Sequence, residues 1–155
     1  MIGELDQSQI EDVLSSENIG RIGCYGDGVI YVVPVAYVYD QGLTYGHSDE
    51  GMKARLMRMN PHVCFEVERI RSLNRWETVI AWGTFEELSG ADSENARILL
   101  LRRLAHPQQN ASDQRSEIVE SYIRYRVHSA AKHGFMYRIR LTKMTGRYET
   151  FETSF

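Results

Sequence analysis

Two glycine-bearing turns, Gly26-Asp27-Gly28 and Asp40-Gln41-Gly42, limit what this chain can fold into more than any other feature. Each separates runs rich in β-branched and aromatic residues: Ile19 to Tyr25, Val29 to Tyr39, and Leu43 to His47. Connections this short, with glycine free to take positive φ, leave room only for antiparallel neighbours. His62 to Ile70 and Trp76 to Leu88 give two more strands, joined by a polar loop around Ser72 and Asn74. Phe135 to Met144 gives a sixth, after which Thr145-Gly146-Arg147 predicts a turn. Six strands, mostly hairpin-linked, predict an antiparallel barrel or sandwich decorated by helices, and closure into a barrel would remove exposed edges.

The helices have their own signals. Asp6 caps, Gln9 reaches back and Leu5 staples onto Ile10, so a helix starts here and carries Ile10, Val13 and Leu14 on one stripe. Ser48 to Asn60 predicts a second helix with Met52, Leu56 and Met59 inward, stopped by Pro61. Ser93 to Leu104 and Ser116 to Val127 predict two more, within a helical insertion around residues 92–133. A length of 155 residues suits one domain over 1–155 and can bury a core without staples.

Cys24 and Cys64 form no CxxC pair, and such sparse use fits a reduced, cytoplasmic protein better than a disulfide scaffold. No apolar run approaches the ~20 residues that span a bilayer. The acidic first residues lack a signal peptide's basic and apolar regions, so no membrane partner is expected. The net charge of −3 hides an asymmetry: residues 1–96 carry 7 Lys/Arg against 16 Asp/Glu, whereas 97–147 carry 11 against Asp113, Glu117 and Glu120. A basic segment can face an anionic ligand, nucleic acid or the acidic half of its own fold. Charge complementarity within or between subunits is the simplest account, and nucleic acid ranks behind it.

Tyr45-Gly46-His47-Ser48-Asp49-Glu50-Gly51-Met52-Lys53 points most directly at a ligand. A strand ends and a helix begins here, so unpaired backbone N–H groups at the helix's positive end attract phosphate. Ser48 offers a hydroxyl donor, Gly51 lets a ligand approach the backbone, and Lys53 adds a full charge. The same residues also fit a plain helix start, with Ser48 as cap and Lys53 in solvent. Val32-Val33-Pro34-Val35-Ala36 is the second feature. Proline inside a strand predicts an edge or a bulge, which frees neighbouring backbone groups beside a flat valine wall; an ordinary irregular edge is the alternative.

Other motifs fail on context. Gly20, Gly23, Gly26 and Gly28 are followed by strand residues where a dinucleotide loop needs a helix. There is no P-loop, GxSxG or HExxH, and His128 and His133 have no further zinc ligands in pattern. Cys64 in an apolar strand reads as a packed residue. Arg124 to Arg126 with Tyr122 and Tyr125 could suit base stacking, but a solvated helix face with amphipathic tyrosines is the preferred account.

The chain resembles the FMN-binding split-barrel superfamily, typified by pyridoxamine 5′-phosphate oxidase, and within it the small flavin-binding branch that includes Nim-type nitroimidazole-resistance reductases. The resemblance rests on blocks in order from about Leu5 to Glu149: Ile19-Gly20-Arg21-Ile22-Gly23, Val32-Val33-Pro34-Val35, Tyr45-Gly46-His47-Ser48 with Gly51 and Lys53, and Asn60-Pro61-His62-Val63-Cys64-Phe65. It continues through Trp76-Glu77-Thr78-Val79 with Gly83, then Tyr137-Arg138-Ile139 and Thr145-Gly146-Arg147. Residues Ala105 to His133 match least. The resemblance implies a six-stranded antiparallel split β-barrel that forms a homodimer, with FMN at the subunit interface. It also implies that His47, Ser48 and Lys53 hold the phosphate and ribityl chain, that Val33, Pro34, Val35 and Ala36 lie along the isoalloxazine, and that Trp76, Thr78 and Val79 reach the flavin, often from the partner subunit. The leading expectation is an FMN-dependent oxidoreductase acting on a small molecule. A non-catalytic flavin-, deazaflavin- or haem-binding protein is the alternative, ahead of a nucleic-acid-binding regulatory module. The further basic residues and pyridoxal-binding set of the oxidases proper find no place here, and no catalytic acid or base stands out among Tyr31, Tyr37 and His47.

Overall fold

Both glycine turns form at the expected positions. Asp27 and Gly28 take φ of 53° and 72°, and Gln41 and Gly42 take 47° and 83°, two consecutive left-handed residues whose twist matches that of the flanking strands. The computed structural model describes residues 1–105 and 133–151. Its elements run β1 (Ile2–Glu4), α1 (Gln7–Ser16), β2 (Ile19–Gly26), β3 (Val29–Ala36), β4 (Val38–Asp40), β5 (Leu43–Ser48), α2 (Met52–Met59), β6 (His62–Ser72), β7 (Arg75–Glu87), α3 (Gly90–Ala105) and β8 (Phe135–Glu149). The Ser116 to Val127 helix, and with it most of the basic segment, lies outside the described residues.

Eight antiparallel strands replace the expected six, for two reasons. The short strand β1 pairs with the end of β8, Ile2 opposite Glu149. The run Val29 to Tyr39 breaks at Tyr37 into β3 and β4, which join different neighbours. The order across the sheet is β3-β2-β6-β7-β8-β5-β4. β3 and β4 thus occupy opposite ends of that order, yet one residue, Tyr37, connects them. A sheet whose two ends are tied by a single residue must curl until they meet, so the chain itself imposes a barrel. Tyr37 is buried at this corner; its hydroxyl donates to the Leu14 carbonyl at 2.7 Å and its ring meets Phe65 edge-on.

Alternation decides what fills the barrel. Ile22, Phe65, Val67, Val79, Ala81, Phe85 and Ile139 point inward with Leu56 and Met57 of α2, and α1 contributes Ile10, Val13 and Leu14. Trp76 and Trp82 share the outer face of β7 while Phe85 is buried inside, as their spacing predicts. α1 begins with the expected capping box, Asp6 Oδ1 accepting from the Gln9 N–H and Gln9 Oε1 from the Asp6 N–H.

Three local expectations are corrected. Met52 and Met59 are exposed, and α2 instead buries Ala54, Leu56 and Met57. Ser48 does not cap α2: Gly51 is the N-cap, without a side-chain bond, and the Ser48 hydroxyl donates to the Asp49 carbonyl at 2.9 Å. Thr145-Gly146-Arg147 is not a turn but part of β8, because Gly146 pairs with Val79 and lies against Leu5 and Ile10, where a side chain would collide.

Candidate functional site

β5 ends against the start of β8, His47 opposite Met136 and Ser48 opposite Phe135. Its last residues are therefore buried. His47 Nε2 donates to the His133 carbonyl at 3.1 Å, which fixes a proton on that nitrogen. Gly134 holds this corner. At φ of 82°, any Cβ there would fall 2.4 Å from the Ser48 carbonyl oxygen and 2.8 Å from His47 Nε2, so only glycine lets β8 begin so close to the end of β5.

α2 starts two residues beyond Asp49. Gly51 is extended, and among the described residues a Cβ built on it meets nothing within 4 Å and no side chain caps the helix. The first N–H groups of α2 are thus open to an incoming acceptor. Lys53 is half-buried, with its ammonium 6.0 Å from the centre of the Tyr137 ring. Burial pushes the Cys24 thiol up, and the Lys53 charge opposes that rise. Glu50 would crowd this positive end but is held by Arg58, which also grips Glu87 at the end of β7 and stacks on Phe135, 4.6 Å from its centroid.

The proline-bearing strand β3 is an edge among the described residues, as its sequence predicts, hydrogen-bonded there to β2 alone. Pro34 lies opposite Arg21 and is exposed; Val33 pairs with the buried Ile22, Val35 is buried, and Ala36 ends the strand half-buried. Alternation keeps these four from presenting one face, so a flat ring would meet them along the strand's free edge.

Trp76, Thr78 and Val79 are elsewhere. Trp76 pairs with Glu149 and its indole N–H donates to that carboxylate at 2.8 Å; the Thr78 hydroxyl donates to Glu66 at 3.1 Å; Val79 is fully buried in the core. Ser48 and Trp76 thus pair with opposite ends of β8, whose 15 residues run roughly 45 Å along the strand. Within one chain the fold brings together His47, Ser48, Gly51 and Lys53, and leaves Trp76, Thr78 and Val79 apart.

The outer face between these ends carries an apolar strip bordered by Arg21, His62 and Glu66. Val32, Gly23, Cys64 and Trp82 stand side by side across β3, β2, β6 and β7, and the gap at Gly23 floors a groove of about 800 Å³. Ile30 and Val32 are 79% and 61% exposed on it. Sequence reasoning missed Gly134 and Arg58. Gly134 carries a faint signal, a glycine just before a strand; Arg58 carries none, because neither Glu50 nor Glu87 stands at a helical spacing from it.

An uncharacterised protein of Rhizobium meliloti is 27% identical over 84 residues, 54% of this chain and 56% of that protein, so the matched part spans little more than half of the relative. The crystal structure of an FAD-binding protein from Mesorhizobium loti superposes with a TM-score of 0.73 at 25% identity, covering 97% of this chain and 99% of that one. A candidate 5-nitroimidazole antibiotic resistance protein from Bacteroides thetaiotaomicron gives a TM-score of 0.69 at 19% identity over 96% of this chain and 87% of its own. The likeness at the lower identity speaks for the fold, a split barrel of antiparallel strands. The model of the pyridoxamine 5′-phosphate oxidase family matches residues 6–148, nearly the whole chain, and the protein belongs to that family.

Proposed function

We propose that this protein binds a flavin, with FMN the form its geometry suits, and works as an oxidoreductase on a small molecule. The observation that carries the reading is the start of α2: an uncapped helix N-terminus with an open Gly51 and the half-buried charge of Lys53 beside it. Those residues fit a phosphate. Lys53 and the first N–H groups of α2 would hold it by charge and by the helix's positive end. Ser48 is a weaker partner, since it must first release the Asp49 carbonyl to donate. The free edge of β3 at Val33 to Ala36 offers backbone groups to a polar ring edge and apolar side chains to its faces. A bound isoalloxazine would supply the two-electron chemistry, while the chain supplies position and electrostatics. The FAD-binding relative from Mesorhizobium loti supports a flavin in general. An absorption spectrum of the purified protein separates a flavin from a deazaflavin or a haem.

Trp76, Thr78 and Val79 enter this site only from a second copy. A homodimer closed over the apolar groove would cover Ile30, Val32 and Trp82 and bring the far end of β7 toward the partner's α2. Trp76 and Thr78 can then offer side chains to the ligand, whereas Val79, sealed in the core, contributes only backbone and shape.

Titration by fluorescence quenching tests the cradle. Lys53→Ala removes a charge-assisted contact of about 1.5–3 kcal/mol, so FMN affinity drops roughly ten- to a hundredfold. Ser48→Ala costs about 1 kcal/mol or less. Riboflavin, which lacks the phosphate, binds wild type weakly and ignores Lys53→Ala. Equal FMN affinity in wild type and Lys53→Ala refutes the cradle.

A further inference from the structure

A second concavity lies where α1, the β6–β7 hairpin and the end of β8 meet. It measures about 260 Å³ and is lined by Arg71, Arg75, Trp76, Glu77, Tyr148 and Glu149, among others. Of its two acids, one is ion-paired and the other is held by a neutral donor. Glu77 pairs with Arg69, which also holds Asp12 and Glu17, and Glu149 accepts from the Trp76 indole. Burial pulls the Arg69 guanidinium down, but Asp12, Glu77 and Glu17 outweigh it and hold the charge firmly on. Arg71 and Arg75 have no hydrogen-bond or ion-pair partner among the described residues. Two guanidinium groups with open donor positions therefore stand at the rim of one hollow.

Their placement follows from a bulge. Ile70 pairs with Trp76 and Ser72 with Arg75, so Arg71 is the extra residue between them. A bulge re-aims the side chain it carries, and this one brings Arg71 to the cavity that Arg75 also lines. Aromatic walls accompany the charge. The Tyr148 ring packs on Gly3, where a Cβ would fall 2.5 Å from the ring carbon Cζ, and Trp76 is fixed by its bond to Glu149.

We propose that this cavity binds a small aromatic phosphate of the nucleoside monophosphate class, with Arg71 and Arg75 on the phosphate and Trp76 and Tyr148 against the ring. Arginine forks match phosphate oxygens two at a time and keep their charge at any working pH. A volume of about 260 Å³ lies just under the ~300–1,000 Å³ of ordinary ligand sites, a size in keeping with a small ligand such as a mononucleotide. The site lies within one protomer and does not rest on the flavin reading; Trp76 alone is common to both.

Trp76 reports on the test. In Trp82→Phe protein it is the remaining tryptophan, and AMP titrated at millimolar concentration quenches its emission to saturation. The paired change Arg71→Ala/Arg75→Ala weakens AMP at least tenfold, as loss of charge-assisted contacts demands. Adenosine binds weakly and is indifferent to those changes, and inorganic phosphate competes with AMP. FMN keeps its affinity in the arginine variants. Circular dichroism verifies that the variants are folded. The proposal is overturned if AMP leaves Trp76 emission unchanged, if the arginine variants bind AMP as wild type does, or if they lose FMN and AMP in parallel.

Discussion

Arg58 shows how one side chain sets the field around the candidate cradle. It is the remote partner of Glu50, just before α2, and of Glu87 at the end of β7. Its hydrogen bonds hold both carboxyls below their usual value of 4.5. A carboxyl lowered on folding stabilises the native state above its unfolded value and loses that contribution as pH falls through the folded one. The stability gap between wild type and Arg58→Met is therefore widest above about pH 5 and narrows in acid. Thermal melts at neutral pH and near pH 3 check this, and an equal gap at both would contradict it. The same change has a second consequence under the flavin reading. Glu50, released beside the open N-terminus of α2, competes with phosphate, so FMN affinity falls in Arg58→Met and recovers when Glu50→Gln is added. Loss without recovery would mean that Arg58 acts on the fold alone.

Secondary structure divides into what local chemistry dictates and what distant pairing decides. The α1 start belongs to the first kind: Asp6 and Gln9 bond each other's N–H groups, and Asp6→Ala is expected to cost about 1 kcal/mol in a denaturant melt. The register between β7 and β8 belongs to the second. It slips between Trp82 and Gly83, leaving Thr142 over on β8, and a Cβ on Gly83 would lie 2.4 Å from the Arg140 carbonyl oxygen. Gly83→Ala should therefore cost about 1–3 kcal/mol, since backbone rather than a mobile side chain must yield. A melt within a few tenths of wild type would show that the strands separate cheaply. Turns, the capped helix, the β3 edge and most strands were legible because glycine, proline and alternation act over a few residues. β1 was not, being three residues paired to a strand more than 140 positions away. The break at Tyr37 was invisible for a similar reason: nothing in a valine-rich run says that its two halves join opposite edges. Of the site, the stretch from His47 to Lys53 stood out as a strand-to-helix junction, but the lack of a Ser48 cap depends on how the chain leaves β5, which composition does not encode.

At the scale of the whole molecule, the barrel closes through Tyr37 and leaves two unlike ends on one long strand. Lys53 and the start of α2 stand at one end, Trp76 and Thr78 at the other, and the groove runs between them. Under the proposed homodimer, a two-fold pair is isologous, so each copy would offer both ends and every dimer would contain two equivalent composite sites. The arrangement leads to a test that depends on sharing rather than on the strength of any contact. Lys53→Ala alone and Trp76→Ala/Thr78→Ala alone each damage both sites of their own homodimer. When equal amounts are unfolded and refolded together, about half of the dimers are mixed, and each mixed dimer gathers all the lesions into one site and leaves the other intact. About a quarter of all sites should then bind FMN with wild-type affinity, a fraction read from the tight phase of a fluorescence titration. If each chain held its cofactor unaided, no mixture could create an intact site and the tight phase would be absent. Its appearance at the expected fraction, and its loss when the homodimers are mixed without unfolding, would establish that the partner's β7 completes the site.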